Sequence, residues 1–217
     1  MYRNAAQSYQ DSGLTDAAIR REEPRIAATL TAMWTDGFTQ VGDRVADQIS
    51  RATRKSFKQM SVARRAALDL FIARYSGRKI TQITTTTMFE INRLIERGIE
   101  DGLSVDEVAA TILQTGQIYA SYRGPLIART EIHSAAQYGS LSAAQETGVV
   151  TLKEWIPVQD ARTRDGDNTD FDHTNVESVP VNDPFIVSGE ALMYPGDPAG
   201  SAGNIINCRC AMGYIVD

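Results

Sequence analysis

The sequence predicts an α+β protein, with a helical N-terminal region followed by a loop-rich C-terminal unit built on a small antiparallel sheet. Up to about residue 147, apolar side chains recur at the three- and four-residue spacing of helices. Beyond 148 the pattern changes to short alternating runs separated by Gly, Asp, Asn and Pro. The 217 residues, 42% of them apolar, are enough to bury a sizeable core in one or two domains. The expected division is a loose polar lead-in over 1–23, a basic helical region over 24–79, and an α+β domain over 80–217. That domain holds helices over 84–147 and a strand and loop unit over 148–217.

Each element follows from a local signal. Pro24 opens a helix whose first turns run from Ile26 to Trp34. From Val41 to Tyr75 the positions Val45, Ile49, Phe57, Met60, Leu70 and Phe71 approximate a helical stripe, one long helix or two with a break, which Gly77 is expected to end. Thr84 to Thr87 begins a new segment with Met88, Ile91, Ile95 and Ile99 on one face, weakened at its end by Gly98 and Gly102. Ser104 with Glu107 three residues later forms a capping box, in which each side chain reaches the other residue's amide, and a short helix follows. Gly124 and Pro125 are expected to open a further helix that Gly148 terminates. Strands are expected around Trp155, within Val179 to Val187, and from Ala211 to Val216.

The charge is unevenly laid out. Residues 1–79 carry 14 basic and 8 acidic side chains, whereas 80–217 carry 8 basic and 19 acidic. The overall charge of −5 argues against a chain that coats nucleic acid over its whole surface. The densest basic run includes Arg51, Arg54, Lys55, Lys58, Arg64 and Arg65, continues to Arg74, Arg78 and Lys79, and contains one acid, Asp69. It lacks an aromatic ladder, so an acidic protein surface is the preferred partner over a phosphate backbone. With neither a leader-like start nor an apolar run of about 20 residues, the expectation is a soluble, non-secreted chain with no membrane partner. Cys208 and Cys210, one residue apart, are too close for ordinary disulfide geometry and fit a reducing compartment.

Three groups of residues suggest chemistry. Cys208 and Cys210 with His173, and with His133 or Asp160, supply enough ligands for a structural zinc, although small buried cysteines closing the last strand are the preferred reading, which holds no cofactor. A cysteine, His173 and an Asp would also satisfy a triad by composition, without a nucleophile elbow to support it. Asp165, Asp167, Asp170 and Asp172, with Asn168 and Thr169 between them, make an oxygen-rich stretch for calcium or magnesium, but lack the central glycine and closing glutamate of a calcium-binding hand; a solvated acidic loop is the simpler reading.

Finally, an ordered set runs through the second half: Arg129-Thr130-Glu131, then Trp155, Asp160 with Arg162 and Arg164, His173, Pro195 with Asp197, and Asn207-Cys208-Arg209-Cys210. In this order, over about 84–217, the chain resembles the Mu F-like head-morphogenesis family of tailed bacteriophages and prophages. The resemblance implies a minor head protein, made in the host cytoplasm, assembled in the procapsid near the portal and retained in the virion head. It implies portal, major capsid or scaffolding proteins as partners, with non-specific contact to packaged DNA. One departure stands out. The family pattern places the histidine a few residues after the second arginine, but here Asp165 to Asp172 separate Arg164 from His173. On physical grounds, Arg162 and Arg164 are expected to brace Asp160, and Arg129 and Glu131, on different faces of one helix, each to reach a loop rather than one another. A hydrolase or nuclease-like enzyme using Arg129, Glu131, Arg162, Arg164 and His173 is the alternative, and needs those five around an open cleft. A DNA-binding packaging accessory is the third reading.

Overall fold

Tyr2, Ala5, Ala6 and Tyr9 repeat at helical spacing, and Gly13 follows them with φ 71°, its amide donating to the Tyr9 carbonyl. That left-handed cap closes α1 (Tyr2–Ser12), and α2 (Asp16–Arg20) comes next. The first 23 residues, expected to be loose, are therefore helical, with Ala5, Ala6 and Ile19 buried. In the computed structural model, which describes residues 1–57, 60–167 and 169–216, three long helices follow: α3 (Glu23–Thr53), α4 (Val62–Glu100) and α5 (Val105–Thr147). Beyond them come β1 (Val150–Ile156), β2 (Val179–Pro180), β3 (Phe185–Val187), β4 (Glu190–Leu192), the short α6 (Ala202–Ile205) and β5 (Ala211–Val216). The architecture is α+β, as the sequence predicts.

Two local expectations change. Gly77 does not end a helix; α4 runs through it to Glu100. A helical glycine costs only about 1 kcal/mol relative to alanine, and the threonines beyond it are accommodated rather than breaking the helix. Thr84 and Thr87 are buried, and their hydroxyls donate to the Ile80 and Ile83 carbonyls at 3.0 and 2.8 Å. Likewise Pro125 lies inside α5 rather than at its start. The capping box is present: the Ser104 amide donates to Glu107 Oε2 at 2.8 Å, and the Glu107 amide to Ser104 Oγ at 3.4 Å. Gly148, with φ 65°, ends α5.

The chain divides into two compact units, Met1–Thr31 with Ala73–Pro125, and Ala32–Ile72 with Leu126–Asp217. The first is helical, with a core of Ala5, Ala6, Ile19, Ile91, Val108, Ala109 and Ile112. In the second, Val45, Ala46 and Ile49 of α3 pack with Leu141, Ala143 and Ala144 of α5, and with Val150, Val181 and Tyr194. An aromatic chain runs through this unit. Trp34 meets Phe71 edge-on at 5.4 Å, Phe71 stacks on Tyr138 at 5.4 Å, and Tyr138 meets Tyr194 at 5.4 Å. Close helix approach here depends on Gly139, where a Cβ would collide with the Phe38 carbonyl.

The sheet of the second unit has the order β2-β1-β5, with both pairings antiparallel, and a separate β3–β4 hairpin packs beneath it. Ser188 and Gly189 join β3 to β4 with φ values of 50° and 80°, the two positive angles of a primed hairpin turn. A second core of Trp155, Phe185, Val187, Leu192, Cys208 and Cys210 fills the space between.

Candidate functional site

Helix α5 presents the first residues of the ordered set to the segment just before β5. Thr130 Oγ1 accepts the Asn207 amide at 3.1 Å, and Arg129 Nη1 donates to Asn207 Oδ1 at 3.0 Å. Asn207 sits at φ 57°, a left-handed conformation that asparagine tolerates better than most residues, so the helix holds this bend from both backbone and side chain. Glu131, on another face of α5, is buried and accepts the Trp34 indole N–H at 3.3 Å. Arg129 therefore reaches a loop as expected, whereas Glu131 turns to α3.

The second cluster closes the loop after β1. Arg209 grips both oxygens of Asp160, at 2.5 and 2.6 Å. Those two hydrogen bonds, with a further one from the Arg162 amide, hold the Asp160 carboxyl well below the usual carboxylate range. The tight brace on Asp160 thus comes from Arg209, with Arg162 adding a looser ion pair, and Arg164 does not take part. Arg162 is largely exposed and stands 3.7 Å from Asp160, and Arg164 donates to the Ile206 carbonyl at 2.6 Å. A guanidinium entering from the neighbouring Cys-Arg-Cys segment meets the carboxylate fork to fork, which an arginine two residues away along the same turn cannot do.

The long spacing before His173 has a simple origin. The His173 amide donates to the Arg164 carbonyl at 2.8 Å, Asp165 bridges Asp172, and the Gly166 amide donates to the Phe171 carbonyl at 3.2 Å. The inserted residues form a small hairpin that projects outward and returns the histidine beside Arg164. Asn168 lies outside the described residues. The carboxylates of the acidic stretch serve local turns: Asp165 Oδ1 accepts the Asp167 amide, and Asp172 Oδ1 accepts Thr174 and Asn175 amides. These acids do not gather into a cation cluster among the described residues.

His173, Cys208 and Cys210 do come together. All three are buried, and their ligand atoms lie within 4.8 Å of one another. His173 Nδ1 is 3.8 Å from Cys208 Sγ and 3.5 Å from Cys210 Sγ. Its other nitrogen, Nε2, is 3.0 Å from Asn204 Oδ1. The Asn204 amide nitrogen donates to the Val187 carbonyl at 3.3 Å, so its oxygen is the atom that faces the histidine. Nε2 must then carry the proton, and Nδ1 presents a lone pair to the two sulfurs. Trp155 stands edge-on to His173 at 5.4 Å. The two thiols titrate as a pair. Hydrogen bonding from Cys210 and from both histidines pulls Cys208 down, and hydrogen bonding with Cys208 together with burial pushes Cys210 up. The cluster can coordinate a metal ion through two sulfurs and one imidazole nitrogen.

The Pro195 turn forms the floor. Pro195 and Gly196 turn the chain with Gly196 at φ 78°, and the Asp197 amide donates to the Tyr194 carbonyl at 3.0 Å. Asp197 is buried, and its two oxygens accept the Met193 and Ala199 amides at 2.9 Å each. Two residues here escaped the sequence reading. Asn204 carried no recognisable motif. Lys153, fully buried at an inward position of β1, donates to the Met193 carbonyl at 2.7 Å and lies 4.7 Å over the Phe185 ring; burial pulls its pKa down to about 8. A lone lysine on the inward side of an alternating strand was its signal.

The basic run separates into exposed and buried members. Arg51, Arg54, Lys55 and Arg65 are exposed, and Lys58 lies outside the described residues. Arg64 does not belong to the surface. It is 1% exposed, pairs with Asp43 at 3.0 Å and lies over the Phe38 ring.

Comparison with known proteins agrees with the resemblance read from the sequence. The family model described as Phage Mu protein F like protein matches residues 89–213. A stretch of 145 residues is 24% identical to the Uncharacterized protein YqbB of Bacillus subtilis (strain 168), covering 65% of this chain and 46% of that protein. The chain thus spans about half the length of the curated relative it matches. No solved structure matches. Since the family match takes in more than half of the chain, including every residue of the ordered set from Arg129 to Cys210, the chain belongs to the Mu F-like phage head-morphogenesis family.

Proposed function

We propose that this chain is a minor head protein that acts by docking in the procapsid near the portal, with the side chains of the ordered set serving architecture rather than catalysis. The observation that carries this reading is where those side chains are spent. Arg129 is bound to Asn207, Glu131 to Trp34, Arg164 to a backbone carbonyl and His173 to Asn204, while Arg162 faces solvent. An enzyme built on these five needs them around a cleft that admits substrate. The gap bordered by Arg162, Arg164, His173, Asn207 and Arg209 has a volume of about 10 Å³, room for about one water molecule.

The exposed Arg51, Arg54, Lys55 and Arg65 form the docking charge, directed at an acidic face of a portal, capsid or scaffolding protein. The site of action is the host cytoplasm during assembly and the head thereafter. No described helix is long and apolar enough to cross a membrane. A structural zinc at His173, Cys208 and Cys210 belongs to the same reading. A tetrahedral zinc, with Zn–S about 2.3 Å and Zn–N about 2.05 Å, separates sulfur from nitrogen by about 3.6 Å. The observed 3.5 and 3.8 Å bracket that value.

The test is co-assembly. Procapsids assembled with the wild-type chain, and with Arg51, Arg54, Lys55 and Arg65 changed to Glu, are separated by sedimentation and their content of this chain measured. The wild type should co-sediment in fixed stoichiometry, and the variant should be depleted while keeping its circular dichroism. Equal incorporation of both would remove the electrostatic docking. Hydrolysis of DNA by the purified wild type, lost in Glu131→Gln, would replace the architectural reading with the enzymatic one.

A further inference from the structure

We propose that the first unit carries a binding groove for linear aliphatic diamines and polyamines, formed between the link from α1 to α2 and one face of α4. The groove has a volume of about 490 Å³. Leu14, Thr15 and Asp16 line it from the link and the start of α2, and Asn92, Ile95 and Glu96 line it from α4. Positions 92, 95 and 96 are spaced to share one helix face. A space of that size falls within the ~300–1,000 Å³ of small-molecule sites.

The polar side chains that open on this groove have lone pairs the fold does not use. Thr15 is the N-cap of α2, where a threonine hydroxyl usually accepts an amide of the first turn. Here it makes no such bond. Although Thr15 is only 4% exposed, its hydroxyl has no partner among the described residues. Other acids of this unit are bonded: Glu22 to Asn4, Glu90 to Tyr119 and Glu107 to Ser104. Asp16 and Glu96, by contrast, have no hydrogen-bond or ion-pair partner among the described residues.

Such a set of acceptors matches a ligand that only donates, and an ammonium group has three N–H donors and no acceptor. One carboxylate comes from α2 and the other from α4, so an elongated ligand in the groove meets a negative charge from each element. Leu14, 69% exposed, and Ile95 add an apolar stretch. Methylene groups lie along such a stretch as lysine stems lie along apolar surface. Positive charge at the ends with methylenes between is the constitution of an aliphatic diamine. A bare metal ion fits less well, since Asp16 and Glu96 belong to no group of three or more metal-ligating side chains among the described residues.

The experiment titrates the full chain with putrescine and with spermidine by calorimetry at low and moderate salt, and follows the methyl NMR signals of Leu14 and Ile95. The expected result is saturable binding of one putrescine per chain, weakened by salt, with both methyl signals shifting along the same curve. Asp16→Asn and Glu96→Gln should each weaken binding about 2- to 5-fold, the worth of an exposed ion pair. Leu14→Ser and the isosteric Thr15→Val should weaken it too, which a diffuse attraction to an acidic chain would not show. Asp170→Asn, at an exposed acid of the second unit, should leave it unchanged. Diamines of increasing length should show an optimum, and n-butylamine, with one ammonium group, should bind more weakly than putrescine. Absence of saturable binding, unmoved methyl signals, or an equal loss in Asp170→Asn overturns the proposal. Equal affinity for n-butylamine and putrescine, or no length optimum, would mean that the groove takes a single alkylammonium such as a partner's lysine side chain, and the diamine assignment falls.

Discussion

Replacing Asn204 with leucine removes the residue that orients His173 while keeping the same branched skeleton of side-chain heavy atoms. Asn204 is completely buried, accepts from His173 Nε2 at 3.0 Å and donates to the Val187 carbonyl at 3.3 Å. Leucine leaves one buried N–H and one buried carbonyl without partners. Each costs about 1–3 kcal/mol, offset by about 1 kcal/mol of added apolar burial. The expected loss is therefore about 1–5 kcal/mol. Urea unfolding followed by tryptophan emission reads it directly, because Trp34 and Trp155 both belong to the second unit. Asn204→Asp, which keeps the acceptor for His173, should lose less than the leucine variant. Nitrogen NMR of the wild-type imidazole should show the Nε2–H tautomer of His173. A leucine variant within about 0.5 kcal/mol of wild type, or an Nδ1–H tautomer, would refute the reasoning.

The other predictions concern separate parts of the second unit. Lys153 has its pKa lowered by burial to about 8, below its unfolded value of about 10.4. The unfolded chain therefore binds the extra proton between those values, and stability should rise with pH there by up to about 3 kcal/mol; denaturation at pH 7.5 and 10 should show the rise in wild type and not in Lys153→Met, and parallel curves would refute it. Asp160 has its pKa depressed by Arg209, so its stabilisation is complete above the ordinary carboxylate range and fades as pH falls below it. Asp160→Asn should accordingly be less stable than wild type at neutral pH, with the gap closing in acid as measured by thermal melts. Gly139→Ala should destabilise by about 1–3 kcal/mol in chemical denaturation, because the new methyl meets the Phe38 backbone rather than a movable side chain.

What the sequence made legible was local. The Ser104 and Glu107 box and the Gly148 stop depend on atoms a few residues apart, and both are present. Gly77 and Pro125 misled because they were weighed as punctuation, whereas packing partners decide whether a long helix continues. Phe71 of α4 stacks on Tyr138 of α5, and Thr84 and Thr87 satisfy their hydroxyls on carbonyls of α4 itself. The basic run counted charges without faces, so Arg64 was placed on a surface it does not reach. Within the site, the identities of His173, Cys208 and Cys210 were visible, but their proximity was not, since an eight-residue hairpin between Arg164 and His173 conceals it in linear spacing. Asn204 was invisible for a related reason: its role is defined wholly by groups distant in sequence.

The pairing of β5 with β1 also sets a clock on synthesis. Residues 150–156 leave the ribosome some 60 positions before 211–216, and the Asp160 grip and the His173 cluster likewise wait for 208–210. Until then, Trp155, Phe185 and Val187 have no lid, and β1 is an unpaired sheet edge. A nascent or prematurely terminated chain would thus expose sticky surface. Completion of β5 is then the moment at which that surface is covered, and copies truncated before it would be open to chaperone or protease capture.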